Sequence, residues 1–159
     1  VRTKLKWPND VLASGRKLAG ILSEAASGPA GVEWVALGVG VNVSLDPARL
    51  PPDMRDGVTS LAAEGAADAP VGAVAAAVLA RLAVCYDGLR CSPSAVLSAW
   101  RSHAADWWGS LVDVRVGEAP LRGRLLEVDD EGALVLELEG GTRRRLLSGE
   151  VTRVRQAAR

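Results

Sequence analysis

From Ser110 onward, apolar residues recur at every second position, and this period limits the possible folds more than any other feature of the chain. Such alternation is typical of strands with one buried face. Turn-forming residues at 117, 129–132 and 140–141 separate four or five short strands within the last 50 residues. The pattern predicts a small antiparallel β-barrel. Its alternating apolar positions include Val112, Val114, Val116, Leu134, Leu136 and Leu138.

Two helices are predicted before this region. The first begins near Asp68–Pro70, because aspartate suits a cap and proline a first turn. The second has Ser92 as cap and Pro93 at its first position, and it ends before Gly109, the predicted domain boundary. The expected buried stripes are Val71, Val74, Val78, Leu82, Cys85 or Tyr86, and Leu89 in the first helix, and Val96, Leu97, Trp100, Ala104 and Trp107 in the second.

The first 43 residues read as strands and turns. Residues 4–7 alternate as a half-buried strand that Pro8 ends, and residues 20–26 predict a strand buried on both faces if it is central. The apolar run 32–43 contains Gly38 and Gly40. Glycines inside a strand indicate either tight packing or close approach of a ligand, and their spacing alone leaves both readings open.

Basic side chains concentrate at the start of the chain. The whole sequence balances 19 basic against 19 acidic residues, yet residues 1–20 contain five basic residues and the single acid Asp10. A local excess in a neutral protein favours an anionic ligand over general attraction to nucleic acid or membrane. Lys17 lies between a Ser-Gly turn and an apolar run, so its ammonium is expected to leave a strand end.

Other classes of protein are disfavoured by composition. No segment approaches the roughly 18 uncharged apolar residues of a membrane span, and Arg143–Arg145 is interpreted as a solvated strand, not a nucleic-acid patch. One histidine and the isolated pair Cys85 and Cys91 argue against a zinc cluster and favour buried or idle thiols in a reducing cytoplasm. Because the chain begins with Val1 directly before a strand, we interpret it as a fragment that lacks an amino-terminal part.

Three segments occur in an order that resembles biotin protein ligase: residues 6–10 (Lys-Trp-Pro-Asn-Asp), 16–22 (Arg-Lys-Leu-Ala-Gly-Ile-Leu) and 38–42 (Gly-Val-Gly-Val-Asn). The resemblance implies an α+β fold. Residues 1–108 would form the second half of a catalytic domain, a mixed sheet with helices like that of class II aminoacyl-tRNA synthetases and lipoate ligases. Residues 109–159 would form a C-terminal SH3-like barrel.

The implied activity is ATP-dependent attachment of biotin to a lysine of a biotin carboxyl carrier domain, such as that of acetyl-CoA carboxylase, through biotinyl-5'-AMP. ATP with Mg²⁺ is the implied cofactor and biotin the substrate, and no residue can be assigned as a magnesium ligand. Lys17 matches the catalytic lysine of the family, which contacts both the biotin carboxylate and the phosphate. The implied biotin-binding residues are Lys17, Gly38, Gly40 and Val41, and the implied ATP-binding residues are Asn9, Lys17 and Asn42.

The resemblance also implies supporting roles and leaves alternatives. Trp7, Pro8 and Asp10 would fix Asn9, while Glu24 matches the family without a known purpose. The family's upstream glycine- and arginine-rich loop has no counterpart between residues 1 and 159, so we expect the chain alone to be inactive. The alternatives are a carrier-binding or dimerising module without catalysis and a lipoate-type ligase. The sequence leaves open whether the protein forms a homodimer.

Overall fold

The computed structural model describes residues 1–117 and 119–155. The predicted α+β class is confirmed, and the strand pairings within its two sheets are antiparallel. The elements in chain order are β1 (Lys4–Lys6), β2 (Asp10–Ala13), β3 (Arg16–Gly28), β4 (Gly31–Val41), α1 (Pro52–Arg55), α2 (Val71–Cys91), α3 (Pro93–His103), β5 (Leu111–Val116), β6 (Ala119–Val128), β7 (Leu134–Glu137), β8 (Arg143–Leu146) and β9 (Glu150–Arg155).

The chain forms two compact units. The first contains residues 1–4 and 9–77, and the second contains residues 5–8 together with the chain from Val78 onward. The helical residues 78–108 thus share a unit with the C-terminal strands. The division predicted between residues 108 and 109 stays a prediction, and within its C-terminal part residues 118 and 156–159 lie outside the described residues.

In the first unit, β2, β3 and β4 form consecutive antiparallel hairpins. Ser14 and Gly15 connect β2 to β3 with φ angles of 50° and 76°. Two positive φ angles in a two-residue loop match the right-handed twist of the strands that it joins. This tight connection sets the register in which β3 leaves the turn.

Two glycines provide a matched test of this turn. Gly15 has φ +76° and open space around an added Cβ, whereas Gly72 in α2 has open space without a positive φ. We expect Gly15→Ala to lower the free energy of unfolding by about 1–2 kcal/mol through backbone strain alone, and Gly72→Ala to raise it by about 0.5–1 kcal/mol. Urea denaturation of both variants measures the two effects, and equal effects would exclude strain at Gly15.

The predicted burial of β3 on both faces is wrong beyond Gly20. From Ile21 to Ser23 each residue is exposed, and most of β4 is exposed as well. The described residues of this unit supply no layer over that part of the sheet, so apolar side chains on it stay open to solvent. The large exposed residues are Ile21, Leu22, Val32, Trp34, Val35, Leu37 and Val39.

In the second unit, five antiparallel strands lie in the order β8-β7-β6-β5-β9, which confirms the predicted number and direction of the C-terminal strands. Four of the six predicted alternating residues lie in its core, but Val116 at the end of β5 is 39% exposed and Leu138 is only partly buried. Trp7 is 6% exposed and joins this core, and its indole N–H donates to the Gly132 carbonyl over 3.1 Å. The core residues are Trp7, Val112, Val114, Leu125, Val128, Leu134, Leu136, Leu146 and Val151.

Helix α3 confirms its predicted start, with Ser92 before it and Pro93 in its first turn. Its predicted end just before Gly109 is wrong, because the helix stops at His103 and residues 105–107, which include Trp107, form a separate 3-10 turn. Leu97, Trp100 and Trp107 pack against the core of the second unit, as the predicted stripe requires. The indole N–H of Trp107 donates to the Leu5 carbonyl over 2.7 Å. This tryptophan therefore has a packing role.

Helix α2 is present where the sequence predicts it, but its predicted buried stripe is wrong because none of its residues is buried in the described structure. Cys85 and Cys91 are free and exposed, so of the two alternatives, buried or idle thiols, the buried one is wrong. By length and composition α2 could cross a membrane, although charged residues, among them Arg81, interrupt its apolar sequence. A single such helix is weak evidence for a membrane span.

The arginine-rich strand β8 is largely solvated, as predicted, with Arg143 and Arg144 exposed. Arg145 is held by two acidic side chains, since its guanidinium donates to Asp129 over 2.6 Å and to Glu131 over 2.8 Å. The pKa of the Asp129 carboxyl is lowered mainly by the hydrogen bond from Arg145. This strand holds the turn between β6 and β7.

Candidate active site

Lys17 owes its position to an irregularity in the β2–β3 ladder. Val11 pairs with Ala19 but Leu12 pairs with Lys17, so Leu18 is an extra residue in β3. In a regular strand, residues 17 and 20 would point to opposite faces. A bulge changes this alternation, and a Cβ built on Gly20 would lie 3.0 Å from Lys17 Cε. The bulge thus brings Lys17 onto the face of Gly20.

The ammonium of Lys17 is held beside a carboxylate. Lys17 Nζ lies 2.5 Å from Asp10 Oδ1, and the Lys17 side chain is 47% exposed whereas that of Asp10 is 11% exposed. Gly20 leaves the space for this arrangement, because an added Cβ would lie 3.1 Å from Nζ. An anion that reaches the exposed side of the ammonium would share it with Asp10.

Glycines form an open floor next to Lys17. Gly20 pairs with Gly40 and Leu22 pairs with Gly38, so all three glycines lie on one face of β3 and β4. A Cβ on Gly38 or Gly40 would meet nothing of the protein closer than 3.8 Å. Internal packing therefore does not require glycine at either position, and the space above them is available to a ligand.

These residues border a cavity of about 440 Å³ in the first unit. This volume is within the range of small-molecule sites. The lining combines one cation and one amide with small and apolar groups, which suits a ligand that has an anionic end and an apolar body. The lining residues are Asn9, Lys17, Gly20, Ile21, Leu22, Gly38, Val39 and Gly40.

Asn9 is fixed against β3 at the edge of this cavity. Its side-chain N–H₂ donates to the Ile21 carbonyl over 2.7 Å, and the Ile21 N–H donates to the Asn9 carbonyl over 3.0 Å. The amide donor is thus used in orienting the residue. Asn9 lines the cavity, and its side-chain oxygen takes no part in this hydrogen bond.

Asn42 lies beside the backbone of Lys17 and does not line the cavity. Its side-chain N–H₂ donates to the Thr59 carbonyl over 3.0 Å and to the Lys17 carbonyl over 3.4 Å. Its backbone N–H donates to the Leu18 carbonyl over 2.9 Å. These contacts hold the bulge, and the predicted contact of Asn42 with a nucleotide stays a prediction.

Other predicted residues lie apart from the cavity. Val41 pairs with Ala19, so alternation points its side chain away from the face of Gly40, and its predicted biotin contact stays a prediction. Glu24 is exposed and does not line the cavity. Trp7 is buried in the core of the second unit, and Asp10 contacts Lys17.

Glu64 is a residue of this region that sequence reasoning missed. Its carboxylate accepts from Ser14 Oγ over 2.7 Å, from Arg16 Nη2 over 2.9 Å and from Thr59 Oγ1 over 2.7 Å. The hydrogen bonds from Ser14 and Thr59 are the main causes that lower the pKa of Glu64 below its usual value of 4.5. Separations of up to 50 residues hid this group from any local pattern.

Within the residues that the structure describes, no group of three or more His, Cys, Asp or Glu side chains could hold a metal ion. The carboxylate of Asp10 contacts Lys17 and does not line the cavity. No ligand of Mg²⁺ is therefore assigned.

Comparison with known families matches two parts of the chain. Residues 1–42 match the Biotin/lipoate A/B protein ligase family, and these residues include Lys17 and the glycines of the cavity floor. Residues 109–153 match the family described as Biotin protein ligase C terminal domain, which covers most of β5 to β9.

Individual relatives agree with these matches. The chain is 31% identical over 149 residues to the bifunctional ligase/repressor BirA of Bacillus subtilis, covering 91% of this chain and 44% of the relative. It is 37% identical over 141 residues to the biotin–[acetyl-CoA-carboxylase] ligase of Mycobacterium tuberculosis, covering 88% and 49%. The chain thus spans about half the length of these relatives.

A solved structure is similar over nearly the whole chain. The biotin protein ligase of Aquifex aeolicus in complex with biotin and ATP superposes with a TM-score of 0.78 at 25% identity, covering 99% of this chain and 63% of that protein. The fold, the two family matches and the relatives agree with one another. They assign residues 1–42 to the Biotin/lipoate A/B protein ligase family and residues 109–153 to the Biotin protein ligase C terminal domain.

Proposed function

We propose that this chain contributes Lys17 and the glycine floor to a site that activates biotin with ATP and transfers it to a lysine of a carrier protein. The observation that supports this most directly is the bulge that brings Lys17 over the face of Gly20, Gly38 and Gly40. One cation thus lies beside the glycine floor and the apolar residues that line the cavity. Biotin offers a carboxylate at the end of an apolar chain and a compact ring, which suits both parts.

In the first step, a carboxylate oxygen of biotin attacks the α-phosphorus of ATP. A bond forms between this carboxylate oxygen and the α-phosphorus, the bond between the α-phosphorus and the oxygen that bridges it to the β-phosphorus breaks, and pyrophosphate leaves with that bridging oxygen. The two reactants repel each other because both are anionic. An ammonium between them stabilises the converging charges more in the transition state than in the separated reactants.

Lys17 is suited to this role because its ammonium is pre-oriented. Asp10 contacts one side of the ammonium, while 47% of the Lys17 side chain remains exposed. A charge held in place before the reaction costs little reorganisation when negative charge develops beside it. Asn9 and Asn42 would orient the nucleotide, since amides position a ligand without adding charge.

In the second step, the neutral amine of the acceptor lysine attacks the carbonyl carbon of biotinyl-5'-AMP. The carbon–nitrogen bond forms, the bond to the phosphate oxygen breaks, AMP leaves, and the amine loses a proton to solvent. Lys17 would stabilise the negative charge that returns to the AMP phosphate. No general base is assigned for this proton.

The carrier is proposed from the relatives, one of which is named as a biotin–[acetyl-CoA-carboxylase] ligase. A biotin carboxyl carrier domain is the expected acceptor. We further propose Mg²⁺ with ATP, and a cytoplasmic location on the basis of the free Cys85 and Cys91. Whether two copies associate is part of the test below.

The decisive experiment measures biotin-dependent release of pyrophosphate from ATP. It compares the 159-residue chain with the complete gene product that contains it, and it runs each with lipoate in place of biotin. From the complete gene product we expect release with biotin and none with lipoate, followed by biotin on a carrier domain but none on a carrier whose acceptor lysine is arginine. From the 159-residue chain alone we expect no release.

Other results would redirect the proposal. Release with lipoate would favour the lipoate-type ligase. No release by either folded protein, together with carrier binding or self-association in sedimentation, would favour a module without catalysis.

A further inference from the structure

We propose that Glu64 is a positioning residue for Lys17: its carboxylate ties the β2–β3 turn to the segment 57–59, and this segment fixes the backbone of Lys17. The proposal rests on the function proposed above, because the role of Lys17 comes from it. Glu64 itself does not line the cavity.

The Glu64 carboxylate joins two segments that are distant in sequence. Oε2 accepts from Ser14 in the turn, and Oε1 accepts from Arg16 at the start of β3 and from Thr59. The side chain of Glu64 is 11% exposed, and Thr59 is fully buried. Three donors from both segments therefore converge on one largely enclosed group.

The segment that Glu64 holds forms hydrogen bonds with both the backbone N–H and the backbone carbonyl of Lys17. The Lys17 N–H donates to the Gly57 carbonyl over 2.8 Å, and the Thr59 N–H donates to the Lys17 carbonyl over 2.9 Å. Val58 forms a parallel bridge with Lys17. Residues 57–59 thus act as a short added strand along this one position of β3.

This support is located where the β2–β3 ladder is interrupted. The bulge between Lys17 and Ala19 disturbs the regular pairing with β2, and a bulged strand loses ladder hydrogen bonds locally. The hydrogen bonds with Gly57 and Thr59 hold the Lys17 backbone where the regular pairing with β2 is lost. Since small misplacement of a catalytic group can cost about 10²-fold in rate, the carboxylate that fixes this segment bears on the rate.

An ionised carboxylate is the group that can accept three donors here. Hydrogen bonds from Ser14 and Thr59, and then from Arg16, lower the pKa of Glu64, so it is charged at neutral pH. A glutamine at position 64 has the same length, but it has one acceptor oxygen and an N–H₂ that would face a donor. Glu64→Gln therefore removes the function of the carboxylate with little change in volume.

The first test measures single-turnover adenylate formation by the complete gene product. We expect Glu64→Gln and Thr59→Val each to lower the maximal rate constant of adenylate formation by about 10- to 100-fold. The biotin concentration that gives half of this rate should change by less than threefold. Thr59→Ser keeps the hydroxyl and should retain the rate. Glu139→Gln, an exposed carboxylate in the second unit, is the matched control and should match the wild type.

A double variant separates positioning from general damage. In a Lys17→Ala background, adding Glu64→Gln should cause no further loss, because the residue that it positions is gone. Losses that multiply in the double variant, or a Thr59→Ser variant as slow as Thr59→Val, would overturn the proposal.

Hydrogen exchange tests the same idea without activity, so it stays informative if the protein forms no adenylate and the proposed function fails. In Glu64→Gln, the amides of Lys17 and Thr59 should exchange at least tenfold faster than in the wild type, while amides of β6 and β7 keep their rates. Unchanged exchange at Lys17 and Thr59 would overturn the proposal. Faster exchange throughout both units would do so too, since it indicates global destabilisation.

Discussion

Replacing Lys17 by alanine in the complete gene product is expected to slow formation of biotinyl-5'-AMP by about 10²- to 10³-fold, the usual cost of losing one preorganised charge-stabilising group. The reason is that, in the proposed function, biotin and ATP are both anionic and meet beside this ammonium. The interaction strengthens as they converge, so kcat should fall more than the affinity for biotin. Rapid-quench measurement of adenylate under single-turnover conditions gives the rate directly.

The control for this variant is Arg49→Ala in the same unit. Arg49 is a basic residue on a short helical turn, its side chain is 87% exposed, and its ion pair with Asp46 spans 3.7 Å. Surface pairs of this kind contribute little, so adenylation should be unchanged. An unchanged rate in Lys17→Ala would remove Lys17 from the catalytic role.

The period of the sequence predicted much of the second unit because its pattern is local. Alternating valines and leucines between turn residues define strands whatever their partners, and five strands are observed with most of these residues in the core. Serine and proline placed the start of α3 in the same way, but Gly109 did not place its end, because the helix stops at His103. Burial of α2 and of β3 was predicted wrongly, because apolar periodicity shows which face can be buried but not whether something covers it.

The candidate site was predictable only in part. Lys17 and the glycines stand in recognisable segments, and the structure brings Lys17, Asn9, Gly38 and Gly40 to one cavity. The face on which Lys17 lies could not be predicted, because it depends on the pairing of Leu12 across the turn. Such a register is a property of two strands together, so no run of one strand encodes it.

Glu64 shows a second limit of sequence reasoning. Its donors lie 50, 48 and 5 residues away, and a single glutamate in an alanine-rich stretch carries no chemical pattern of its own. Only the tertiary contact between the β2–β3 turn and residues 57–59 gives it a function. A site residue defined by its neighbours in space is visible only once the chain is folded.

Gly40→Val is expected to weaken biotin binding by about 10- to 100-fold, the equivalent of about 1–3 kcal/mol of steric conflict. A Cβ at this position meets no protein atom closer than 3.9 Å, so the added methyl groups enter the cavity and not the protein. Valine also suits an exposed strand better than glycine. The melting temperature should therefore be equal to or higher than that of the wild type.

Ala36→Val is the matched control for this substitution. Ala36 lies on the same face of β4, four residues from Gly40, but it does not line the cavity. Both variants introduce a valine side chain into the same exposed strand. Calorimetric titration with biotin therefore shows whether the position of this valine changes the affinity. Weaker binding in Gly40→Val only, with both proteins equally stable, would support the glycine floor as the biotin site. Equal affinity in the two variants would place biotin elsewhere, since a ligand on this floor must contact the new side chain.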